Sequence, residues 1–80
     1  MDRNEILNRV QETFREILNN DEIVLSEEME PKDVDEWNSL AQAQIIIALE
    51  HELNIHFSLV ELISIIKVED IVNIIYSHVS

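Results

Sequence analysis

Eighty residues and 9.4 kDa hold one small domain, spanning 1–80, with a modest core. Cysteine is absent, which excludes disulfide staples, thiolate zinc sites and cysteine nucleophiles, and 46% hydrophobic residues are too many for a disordered tail. Seventeen Asp and Glu against five Lys and Arg give a net charge of −12, which argues against nucleic acid and membrane surfaces and favours a basic protein partner.

Glycine is also absent and proline occurs once, at Pro31, so the residues that tight hairpin turns favour are missing and an all-helical fold is expected. Met1-Asp2-Arg3-Asn4-Glu5 is polar and resembles no secretory signal, and no apolar run approaches the ~20 residues of a membrane span. The expected location is therefore cytoplasmic.

Ile6, Leu7, Val10, Phe14, Ile17 and Leu18 recur at helical spacing and predict a first helix over residues 3–19. Asp2 and Glu5 have the spacing of a capping box at its start, and Asn19 and Asn20 can close it in the left-handed conformation. Residues 20–38 show no helical period and carry eight acids, so a long first loop is expected, pinned through Ile23, Val24, Leu25 and Met29.

A second helix is predicted from Ser39 to about Leu53, with Ser39 and Gln42 as its capping box. Its core face is assigned to Leu40, Ala43, Ile47 and Leu49, widened by Ile45 and Ile46; a helix apolar on so many sides is central or carries a binding surface. A short third helix over Leu59–Ile65 and a last one over Lys67–His78 complete the chain. The last has Val68, Ile71, Val72 and Ile75 on one face and Asp70 in its first turn, where a negative charge suits the helix dipole. The expected architecture is an all-α, four-helix bundle with a long first loop and a short third helix.

Catalysis by the chain alone is not expected. His51, His56 and His78 lack the i, i+4 spacing that places two ligands on one helix face, so no metal site is predicted. No pair of acids is set in an apolar surround that would raise a pKa for acid–base work.

Trp37-Asn38-Ser39-Leu40 stands apart, because it follows an acidic loop and opens the most apolar helix, which continues Ile45-Ile46-Ile47-Ala48-Leu49-Glu50-His51-Glu52-Leu53. From Ser39 to about Ser77, including Lys67-Val68-Glu69-Asp70-Ile71, the sequence resembles the acyl carrier proteins, whose signature is Asp-Ser-Leu at the start of the second helix. The resemblance implies that Ser39 carries 4′-phosphopantetheine, attached by a phosphopantetheinyl transferase, and holds an acyl or aminoacyl thioester. It implies a monomeric carrier rather than an enzyme, with Asn38, Leu40, Asp35, Glu36 and Glu50 meeting the basic docking patches of loading and transferring enzymes.

From the residues alone, Ser39 is a helix cap, and a phosphodiester at the same helix start is a favoured anion site. Asn38 replaces the motif's aspartate and forgoes charge-assisted pairing with arginine. Trp37 is expected to anchor the loop. The Trp-x-Ser-Leu form resembles carriers of specialised pathways such as polyketide, peptide or polysaccharide modification. Leu62 and Ile71 fall where such carriers line an acyl cavity, and their bulk implies a shallow pocket and a short, branched or polar cargo. Two other readings stay open: an acidic helical interaction module without a prosthetic group, and an acidic mimic of nucleic acid.

Overall fold

In the computed structural model, which describes residues 1–79, α1 runs Arg3–Ile17 and α2 Ser39–Leu53. They are followed by α3 at Leu59–Ser64 and α4 at Val68–Val79. The described residues form no strand, as the missing turn residues predict. Asp2 caps α1 by accepting from the Glu5 N–H at 2.9 Å, while the Glu5 carboxylate accepts from Asp2 N–H. The helix ends two residues before the expected 19, because Asn19 turns into the left-handed region at φ 52°. Asn54 closes α2 in the same conformation at φ 55°.

Helix α1 packs on α2 and α4. Ile6, Val10 and Phe14 meet Ile45 and Leu49 of α2, Phe57, and the fully buried Val68, Ile71, Val72 and Ile75 of α4. The face of α4 is the predicted one, and that of α2 is not. Its buried residues are Ala41, Ile45, Ile46 and Leu49, while Leu40, Ala43 and Ile47 look outward. Periodicity fixes a face only where polar residues mark the opposite one, and α2 is apolar nearly all round.

The first loop is pinned as predicted, with one exception. Ile23 and Leu25 are buried, but Val24 between them is 67% exposed, as extended backbone dictates by sending successive side chains to opposite sides. Two α1 side chains fasten this stretch: Arg15 Nε donates to the Ile23 carbonyl at 2.8 Å, and Gln11 Oε1 accepts from Leu25 N–H at 2.9 Å. Further on, a 3-10 turn spans Pro31–Asp33, and the Met29 and Glu27 carbonyls accept from Val68 N–H and Glu69 N–H of α4. An ion pair between Arg3 and Glu27 adds to this join.

Candidate functional site

The head of α2 differs from its predicted cap. Asn38, not Ser39, is the N-cap: its Oδ1 accepts from Ala41 N–H at 2.9 Å. Gln42 takes no part in a capping box, because its Oε1 accepts from the Trp37 indole N–H at 2.7 Å. Ser39 is therefore the first residue inside the helix, and it is exposed. Its hydroxyl lies at the positive end of the helix dipole, among N–H groups that have no partner within the helix.

Trp37 holds this junction to the core, as expected of a loop anchor. It is 4% exposed, and its ring meets Phe14 edge to face with centroids 4.9 Å apart. Tryptophan in the core, asparagine at the cap and serine on the first turn thus fix the direction of the Ser39 hydroxyl from both sides.

Ser39 borders two open grooves. One, of about 300 Å³, lies toward the first loop and is lined by Pro31, Trp37, Gln42, Leu62, Ile65 and Ile66. The other, of about 370 Å³, runs down α2 past Ala43, Ile46 and Ile47 to Glu50, with Leu62 opposite. Leu62 is thus the ridge between the grooves. Ile71 lines neither, being wholly buried in the core.

The acids near the site divide into free and committed ones. Asp35 and Glu36 are exposed just before the motif, Glu36 accepting from Asn20 Nδ2 at 3.3 Å. The Glu50 carboxylate instead turns to the start of α3, accepting from Phe57 N–H at 2.7 Å with His56 Nδ1 at 3.3 Å. Glu52 reaches α1 through Thr13 and Arg9.

Helix α3, which supplies the ridge, buries none of its own residues. It is held by polar contacts that the sequence reading missed, although Ser58-x-x-Glu61 is a capping box legible from spacing. Glu61 accepts from Ser58 N–H at 2.8 Å, and His78 Nε2 of α4 lies 3.2 Å from its carboxylate. First the Ser58 N–H and then His78 hold the Glu61 carboxyl below its ordinary value of 4.5. A carboxyl depressed in the folded state contributes stability above its unfolded pKa and loses it as pH falls through the folded value. We therefore expect the urea midpoint to drop below pH 4.5, and Glu61→Gln to lower the midpoint at pH 7 and flatten its acid dependence. Equal acid slopes in both proteins would count against this role.

Among the described residues, no group of three or more His, Asp or Glu is placed to hold a metal ion, and no helix is long and apolar enough to cross a membrane. No protein-family model matches the sequence, and no curated protein matches it at a significant level. Among solved structures, the chain is similar to the solution structure of a holo acyl carrier protein from Geobacter metallireducens. The two share 32% identity over 89% of this chain and 82% of that one, with a TM-score of 0.83. A four-helix domain with an exposed serine on the first turn of α2 is a carrier by fold. The chain belongs to the acyl carrier protein family.

Proposed function

We propose that this protein carries an acyl or aminoacyl group on 4′-phosphopantetheine attached to Ser39, in a specialised biosynthetic pathway. The observation that carries the reading is the exposed Ser39 hydroxyl at the head of α2, where both grooves begin. The similar Geobacter protein is described as holo, which supports the same state here.

The residues fit the group. A phosphodiester on Ser39 would sit at the helix N-terminus, where dipole and free N–H groups favour an anion. When bound, the group supplies a terminal thiol that holds the cargo as a thioester, and the reactions belong to partner enzymes. The chain's own part is to orient the serine through Asn38 and Trp37 and to present Leu40 beside it. The grooves are open rather than enclosed, which supports a short, branched or polar cargo held at the surface.

Partners are a phosphopantetheinyl transferase and the loading and transferring enzymes. Asp35 and Glu36 are the carboxylates free to meet a basic patch, since Glu50 is turned to Phe57. Asn38 gives its acceptor to the helix and leaves no carboxylate beside the serine, which supports a dedicated or tolerant transferase and a specialised pathway. Incubation with coenzyme A and a broad-specificity phosphopantetheinyl transferase should add one phosphopantetheinyl group to the intact mass. An unchanged mass with several competent transferases would overturn the proposal.

A further inference from the structure

In a chain with net charge −12, the eleven residues Ser39–Leu49 carry no charge. Along Leu59–Ile66 the one charged residue is Glu61, which is bound to Ser58 and His78. The outward residues here are large and apolar: Leu40 is 70% exposed, Ile47 64% and Ile66 66%. Leu40 and Ile47 are seven residues apart, which puts them within about 20° on the outer face of α2. Ile47 and Ile66 line the two grooves that Ser39 borders, on either side of the Leu62 ridge. Exposed apolar patches with polar surroundings mark interaction sites.

From this we infer that enzymes acting on the group borne by Ser39 dock through an uncharged, apolar surface that covers Leu40, Ile47 and Ile66. The inference rests on the carrier reading of Ser39, because any enzyme that reaches this serine must close over the residues ringing it. Charge complementarity decides the chemistry of the partner. A basic patch laid over Ser39 would find no carboxylate on the outer face of α2 before Glu50, whose carboxylate is turned to Phe57. Asp35 and Glu36 lie outside this face, on the loop, where exposed charges affect the speed of encounter more than the strength of the complex. Apolar anchors at the centre of an interface account for most of its affinity.

The test measures the KM of the carrier for a broad-specificity phosphopantetheinyl transferase at saturating coenzyme A. Ile47→Gln and Ile66→Gln should each raise KM by about tenfold with kcat kept. Both positions are on the surface, so the fold should survive, as far-UV circular dichroism will show. Val24→Gln, an equally exposed apolar position in the first loop, should leave KM unchanged, and the Asp35→Asn, Glu36→Gln pair should move it less than about threefold. Modification with the opposite pattern, indifferent to Ile47 and Ile66 but lost with the two acids, overturns this inference alone. Absence of modification overturns the Ser39 reading and this inference with it. A dimer of the unmodified protein that Ile66→Gln dissociates in sedimentation would assign the face to a second copy and overturn the partner proposed here.

Discussion

Ser39→Ala will abolish phosphopantetheine attachment while leaving the fold nearly as stable as before. The separation follows from which residue caps α2. The capping hydrogen bond is made by Asn38 Oδ1 to Ala41 N–H, one position ahead of the serine, so the hydroxyl of Ser39 is not needed to start the helix. Alanine at the first helical position is a good helix former, and the change in stability should stay within about 0.5 kcal/mol. Asn38→Ala should do the reverse. Losing the cap costs about 1 kcal/mol, or roughly 4–8 °C in Tm for a domain of this size, and the serine remains available. Intact mass after transferase treatment and urea melts on both variants decide the matter. A Ser39→Ala protein destabilised as much as Asn38→Ala would show that the serine is chiefly a cap.

Phe14→Ala should be the most damaging single substitution near the site. The ring is fully buried on α1 and meets Trp37 edge to face at 4.9 Å, so its loss opens a cavity where the first helix holds the loop before Ser39. Such truncations cost ~3–5 kcal/mol. A domain of 80 residues has a total stability of about 4–12 kcal/mol. The variant should therefore be partly unfolded in buffer, with a much lower urea midpoint by Trp37 fluorescence and slower modification at Ser39. A midpoint within error of the parent protein would contradict the placement of Phe14 and Trp37 in one core.

Where polar residues frame an apolar stripe, the sequence was a sufficient guide. Both stripes, on α1 and on α4, are buried as expected, and the Asp2–Glu5 capping box and the left-handed Asn19 are where spacing put them. Reading the face of α2 was beyond pattern alone, because eleven uncharged residues give no polar side to count from, and only packing against α1 separates Ala41 and Ile45 from Leu40 and Ile47.

The cap of α2 was misread for a related reason. Asn38 and Ser39 are both strong cap formers, and the contest is settled by Trp37, which enters the core and draws Gln42 away from the helix start. The commitment of Glu50 to Phe57 N–H depends on how the chain turns after Asn54, which no spacing in the sequence reports. Ser58 and Glu61, by contrast, had a legible signature that was passed over.

The most direct measurement is the mass of the protein isolated from its native cells, with the modified residue localised by fragmentation. The account predicts one phosphopantetheinyl group, free or acylated, on the fragment that holds Trp37-Asn38-Ser39-Leu40, and on Ser39 itself. An unmodified chain, or a group attached to any other serine, would contradict it.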